Sequence, residues 1–124
     1  MDEVRWNMLS EVEIINRFRK HGISQDGGEL YLRVSMALKF VEVCQKNNLA
    51  IIGFEGFLYD DDEGTLEPLL DQIADFSTVQ ASHWEAFRNL CNKYCRNLIR
   101  GLSQKERMAI NFTVLSRSEW GKGT

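Results

Sequence analysis

Apolar positions recur at helical spacing in the first half of the chain. A capping-box pattern formed by Ser10 and Glu13 precedes apolar residues on one helical face, and together they predict a helix over about 11–21. A glycine pair at 27–28 interrupts the pattern. A wider apolar stripe then predicts a second, largely buried helix from 30 to about 47, with the members Leu30, Val34, Ala37, Leu38, Val41 and Cys44.

The pattern changes to that of a strand after residue 48. Residues 49–59 are rich in β-branched and aromatic side chains and short of helix formers, so they predict a strand. The acidic stretch 60–64 has no apolar side chain and predicts a turn. Pro68 suits the first turn of a helix, and the apolar residues after it continue at helical spacing. A third helix is therefore expected from Pro68 to about Asp75.

Two more elements are predicted near the C-terminus. A helical stripe begins after Ser82, which fits a second capping box with Glu85, and it ends at Gly101. Residues 108–115 alternate and predict a strand, although a further capping-box match at 103–106 leaves a helix open for this segment. The elements together predict an α+β fold, with about four helices packed on a small sheet of few strands.

The composition is that of an ordinary globular protein. The chain has 124 residues, of which 44% are hydrophobic and 27% are charged, and these values predict one compact domain over 1–124. No apolar run approaches the roughly 20 residues that span a bilayer, and the N-terminal residues lack the pattern of a signal peptide. Three cysteines, few and odd in number, favour a reducing compartment. We therefore expect a cytoplasmic protein that does not associate with a membrane.

The charges are distributed unevenly. The formal net charge is -3, yet residues 47–87 contain no lysine or arginine, whereas 88–124 are mainly basic. The acidic residues of the middle segment are Glu55, Asp60, Asp61, Asp62, Glu63, Glu67, Asp71, Asp75 and Glu85. This concentrated anionic segment is the most informative feature of the sequence.

Few residues offer catalytic or metal-binding chemistry. His21 follows a predicted helix, where an imidazole complements the helix dipole. Cys91 and Cys95 lie one helical turn apart and could share a metal, but no further ligands complete a set, and buried thiols behave as small apolar groups. We expect no catalytic residues, no metal site and no cofactor, and hence no enzyme.

The anionic segment has two interpretations. It can be a solvated surface, with Glu55 at an edge or bulge of its strand facing water. Alternatively, because aromatic residues are interleaved with the carboxylates, it can be a protein-binding surface that attracts a basic partner and repels nucleic acid. In that case the expected electrostatic contacts are Glu55, Tyr59, Asp60, Asp61, Asp62, Glu63 and Glu67. Phe57 is the candidate apolar anchor.

Four stretches, 37–42, 48–57, 71–75 and 84–87, resemble small bacterial immunity proteins. These are the antidotes of colicin-type and contact-dependent growth inhibition toxins. The shared pattern is a helix, a strand, a short acidic or aromatic stretch and a Trp-Glu helix, and it covers about 37–99. The sequence departs from it at 54–56, where Phe-Glu-Gly stands in place of Gly-Asp-aliphatic. The resemblance implies a non-catalytic cytosolic protein that binds the C-terminal domain of its cognate toxin, many of which are nucleases with basic active sites.

Three other functions stay open on the sequence alone. The chain can be a small adaptor or regulatory domain that binds another protein through its acidic loop. Glu55 and the aspartate run can form the site of a metal-dependent hydrolase. The basic residues of 88–124 can bind RNA in a salt-dependent way, although the acidic segment of the same molecule opposes this.

Overall fold

The part of the chain that the structure describes folds into three α-helices and an antiparallel sheet. The computed structural model describes residues 8–24, 28–103 and 105–121, without the side chain of Ser24. The helices are α1 (Glu11–Arg19), α2 (Val34–Lys46) and α3 (Trp84–Arg100). The strands are β1 (Ile23–Ser24), β2 (Leu30–Arg33), β3 (Leu49–Asp60), β4 (Thr65–Asp75) and β5 (Met108–Ser116), the last preceded by a 3-10 turn at Lys105–Arg107.

The strand order in the sheet is β1-β2-β5-β3-β4, and every pair is antiparallel. Four strands form the body of the sheet, and β1 adds only two residues to its margin. The longest strands, β3 and β4, form a hairpin that closes where Asp60 pairs with Thr65. Because β5 occupies one side of β3, β4 is the edge strand on the other side.

The two faces of the sheet differ in what covers them. α2 and α3 lie side by side on one face of the sheet. The paired residues Phe54 and Phe112 point to this face, and the ring of Phe40 in α2 stacks on that of Phe112 with their centres 5.0 Å apart. α1 packs on α2 in turn, with the Phe18 ring 5.2 Å from that of Phe40. The opposite face, which we call the open face, has no described helix against it, and Glu55 is exposed there.

Several predicted elements are confirmed, and one prediction of a helix is wrong. The mixed α+β class, the first and last helices and the strands at 49–60 and 108–116 are as expected, but the described residues form three α-helices rather than about four. The segment from Pro68 to Asp75 belongs to β4, because it pairs with β3 across the acidic turn. Proline is tolerated there because β4 is an edge strand.

Two helix starts also differ from the prediction. The helix expected from Leu30 begins at Val34, because Leu30–Arg33 pairs with β5 as a strand. The N-cap of α3 is His83 and not Ser82, since the His83 Nδ1 accepts a hydrogen bond from the Ala86 amide at 3.2 Å. The first capping box is confirmed, because the Ser10 hydroxyl accepts a hydrogen bond from the Glu13 amide and the Glu13 carboxylate accepts one from the Ser10 amide.

A buried amide, Asn92, joins α3 to the sheet. β4 pairs with β3 only as far as Gly53, so the first residues of β3 lack a neighbouring strand on that side. Asn92, which is 1% exposed, takes the place of the missing strand. Its Oδ1 accepts a hydrogen bond from the Ile51 amide at 2.8 Å, and its Nδ2 donates one to the Leu49 carbonyl at 3.0 Å. Buried backbone groups without partners are costly, so this side chain completes the sheet.

Further polar contacts extend from Asn92 to α2. The Nδ2 of Asn92 also donates to Gln45 Oε1, and Gln45 Nε2 donates to Asn89, both at 2.6 Å. At the turn after α2, Asn48 adopts a positive φ of 63° and accepts a hydrogen bond from the Trp84 indole at 2.7 Å. The network therefore fixes the ends of two helices and one strand against each other.

The three cysteines lie in the core, as expected. Cys44, Cys91 and Cys95 are free and buried. Burial raises the pKa of the Cys91 thiol to about 11 and that of Cys95 to about 12, and it raises the pKa of Cys44 as well. The thiols are therefore neutral at physiological pH and packed as apolar groups.

Replacement of Asn92 tests the amide bridge. In Asn92→Ala the Ile51 N–H and the Leu49 carbonyl lose their partner inside the protein, so we expect a loss of about 3 kcal/mol in the free energy of unfolding. Urea denaturation measures it. Asn97→Ala, at an exposed position of the same helix, is the matched control and should change stability by less than about 0.5 kcal/mol. Equal losses in the two variants would contradict the bridge.

Thiol reactivity tests the burial of the cysteines. Because the thiolate is the reacting species and burial keeps these thiols protonated, Ellman's reagent at pH 8 should label none of them in the folded protein within minutes. All three should react once the protein is unfolded in guanidinium. Rapid labelling of the folded protein would contradict the packing of α3.

Candidate protein-binding surface

The hairpin tip, residues 60–64, is an acidic turn organised by Asp60. The Oδ1 of Asp60 accepts hydrogen bonds from the amides of Asp62 and Glu63, at 2.9 and 3.2 Å. The Asp60 carbonyl accepts from the Gly64 amide at 2.8 Å, and Gly64 takes a φ of 69° that other residues rarely adopt. Asp60 therefore shapes the turn, while Asp62 and Glu63 are left exposed.

Arg33 of β2 binds the tip to the sheet. Its guanidinium forms an ion pair with Asp61, donates to the Glu106 carbonyl at 3.2 Å and lies 4.8 Å from the centre of the Tyr59 ring. Two of the predicted contact residues, Asp61 and Tyr59, are therefore partly engaged by a cation of the same chain. Because the Asp61 side chain is 71% exposed, this pair adds little to stability and mainly orients the tip.

Glu67 lies beside the tip but on the other side of the hairpin from Glu55. It pairs with Leu58, whereas Glu55 pairs with Ile73, and these two pairs point to opposite faces of the sheet. Between Glu67, the tip and the 3-10 turn lies an open cleft of about 470 Å³, with Arg33 and Arg107 in its wall. The carboxylates thus surround the end of the hairpin instead of lining one face.

Phe57 belongs to an aromatic pair on the open face. Its ring meets that of Tyr31 edge-on at 5.1 Å, across β5. The pair can form because the residue of β5 opposite Phe57 is Ala109, whose small side chain is fully buried. The Tyr31 hydroxyl donates to Glu29 at 2.6 Å, and this bond, with burial and the charges of Glu29 and Glu55, raises the pKa of Tyr31 to about 12.

Glu55 is an exposed carboxylate in the middle of the sheet. It lies between Asn111 of β5 and Ile73 of β4, so it is not at an edge, but a bulge in the β3–β4 pairing follows it immediately. At Gly56 a Cβ would lie 2.6 Å from the Met108 methyl and 3.0 Å from the Cβ of Gln72 in the bulge, so the close packing at this point favours glycine. Ile73, half exposed beside Glu55, adds apolar surface to the same area.

The predicted contact residues therefore form two neighbouring groups on one hairpin. Tyr59, the tip and Glu67 make up the acidic end, and Glu55 and Phe57 lie on the open face. Sequence reasoning missed Arg33, Tyr31 and Glu29, which belong to β2 or lie next to it. The alternation of Leu30 and Leu32 with Tyr31 and Arg33 is the one signal that could have revealed this strand.

No family model, curated protein or solved structure matches the chain. Within 8–24, 28–103 and 105–121, no group of three or more His, Cys, Asp or Glu side chains could hold a metal ion. In the same part of the chain no helix combines the length and apolar character needed to cross a bilayer. The surface on the hairpin is thus interpreted from its own geometry.

The titration of Tyr31 tests the contacts of the open face. Because its pKa is raised, the Tyr31 phenol is more readily kept neutral in the folded than in the unfolded state. The stabilisation that the neutral phenol contributes is therefore present below about pH 10 and is lost as the pH rises through about 12. In Glu29→Gln the carboxylate is gone, and the pKa of Tyr31 should fall toward its ordinary value. The ultraviolet absorbance of the phenolate, compared with that of Tyr31→Phe, measures it. Glu67→Gln should leave it unchanged, and an unchanged value in Glu29→Gln would contradict the contact.

Proposed function

We propose that this chain is an immunity protein, which binds a cognate bacterial toxin domain in the cytoplasm and neutralises it. We propose further that the toxin is a nuclease, and that the acidic hairpin covers its basic active-site region. The observation that carries the proposal is the β3–β4 hairpin itself. It holds exposed carboxylates at its tip and, on the adjoining open face, Glu55 and Phe57, whose ring is fixed by Tyr31 of β2.

The tip supplies the electrostatic part of the proposed interface. Asp62 and Glu63 are exposed, and the ion pair found at the tip among the described residues is that of Arg33 with Asp61. Exposed charges of one sign at a hairpin tip attract a basic partner and accelerate its association, with a dependence on salt. A nuclease presents the matching charge, because its active site must bind phosphates.

The open face supplies the apolar part. Rigid aromatic side chains are typical anchors of protein interfaces, since they contribute area at a low cost in conformational entropy. Phe57 is held by Tyr31, and Ile73 is 52% exposed next to Glu55. A toxin side chain that combines a cation with an apolar stem would fit this mixture.

The basic C-terminal third is less suited to nucleic-acid binding than its composition indicates. Its cations are spread over α3 and the turns, and several interact within the chain. Arg96 contacts Glu42 at 3.3 Å, Arg117 contacts Glu85 at 3.9 Å, and the Lys105 ammonium donates to the Arg100 carbonyl at 2.6 Å. This arrangement supports a protein partner over RNA.

Charge removal at the tip tests the proposal. The partner to use is the C-terminal domain of the protein encoded immediately upstream, produced alone and together with this chain. We expect that domain to stop growth, the unmodified chain to restore it, and the two to form a 1:1 complex. Asp62→Asn with Glu63→Gln should weaken the complex by about tenfold at low salt, and less at high salt.

The matched control removes the same two charges elsewhere. Glu42→Gln with Glu85→Gln changes exposed carboxylates of α2 and α3 and should alter the affinity by less than about twofold. Equal effects of the two double variants would contradict the role of the hairpin. Absence of toxicity and of any complex would contradict the immunity function and would favour an adaptor domain.

A further inference from the structure

A second surface with the opposite charge lies between α1 and α2. Their packing leaves an open groove of about 600 Å³, which we call the α1–α2 groove. Its floor is apolar and consists of Phe18, Met36 and Val43, the last two on one stripe of α2. Phe18 is 8% exposed and contacts Phe40 in the core, whereas Met36 and Val43 are half-buried and pack against it.

The rim of the groove is basic. Arg17, Lys20 and Lys39 line it with exposed side chains, and the imidazole of His21 joins them. Among the described residues, the carboxylate in the lining is that of Glu42, whose Oε1 accepts a hydrogen bond from Arg96 at 3.3 Å. Glu13, one helical turn before Arg17, lowers the positive potential at that end but does not line the groove. An apolar floor beneath three cations fits a ligand with an apolar body and an anionic head.

The size of the groove restricts the ligand further. Its volume is within the range of about 300–1,000 Å³ that is typical of small-molecule sites. Its apolar side chains are recessed between two helices, whereas a membrane-binding surface presents apolar side chains outward. A single acyl chain suits an open groove of this volume with an apolar floor.

We propose that the α1–α2 groove binds a single-chain anionic amphiphile, with its alkyl chain on Phe18, Met36 and Val43 and its carboxylate among Arg17, Lys20 and Lys39. This site shares no residue with the hairpin. The proposal about this groove therefore does not depend on the proposed immunity function.

Calorimetric titration with dodecanoate, below its micelle concentration, tests the site. We expect saturable 1:1 binding, and no such binding of dodecyltrimethylammonium, which has the same chain and the opposite charge. Lys39→Glu should weaken dodecanoate binding by about tenfold, because it replaces an attractive charge by a repulsive one. Lys46→Glu makes the same change outside the groove on the same helix, and it should alter binding by less than twofold.

A second variant examines the apolar floor. Met36→Gln keeps the length of the side chain and should weaken binding several-fold, while thermal unfolding confirms that each variant is folded. Equal binding of the cationic amphiphile, equal effects of Lys39→Glu and Lys46→Glu, or no saturable binding would overturn the proposal. Binding to phosphatidylglycerol vesicles or to polyglutamate without binding to dodecanoate would also overturn it, by assigning the groove to a membrane or to an acidic protein.

Discussion

The amide bridge of Asn92 is the constraint on which the arrangement of the sheet depends. β3 is longer than its pairing with β4, so its first residues would leave a backbone donor and acceptor unpaired inside the protein. Asn92 satisfies both, and its contact with Gln45 ties the same point to α2. α3 therefore takes the place of a strand at the base of the hairpin.

Small residues decide what the open face can present. Ala109, fully buried in β5, lets Tyr31 and Phe57 meet above it, and Gly56 leaves room for Gln72 in the bulge next to Glu55, because a Cβ there would lie 3.0 Å from that of Gln72. A larger side chain at either position would separate the aromatic pair or displace the bulge. The shape of the proposed interface is consequently determined by residues that are not part of it, and its carboxylates are positioned by backbone geometry more than by ion pairs.

Short sequence patterns correctly predicted the elements whose structure depends mainly on residues that are neighbours in the sequence. Residues 49–59 and α3 have compositions and periodicities that agree with the structure, and the acidic turn follows from the absence of apolar side chains. β4 was missed because Leu69, Leu70 and Ile73 are spaced as in a helix, and only pairing with β3 makes them a strand. The carboxylates of the candidate site were visible in the sequence, but Arg33 was not, since its contact with Asp61 crosses 28 positions of the chain.

The two charged surfaces arise from different layers and can act separately. The acidic hairpin is built from strands, and the basic α1–α2 groove from helices, so each has its own packing behind it. At physiological ionic strength, interactions between exposed charges fade over roughly 8 Å. A ligand in the groove would therefore act on a partner of the hairpin mainly through α2, which begins directly after Arg33, the ion-pair partner of Asp61, and whose C-terminal end contacts Asn92 through Gln45.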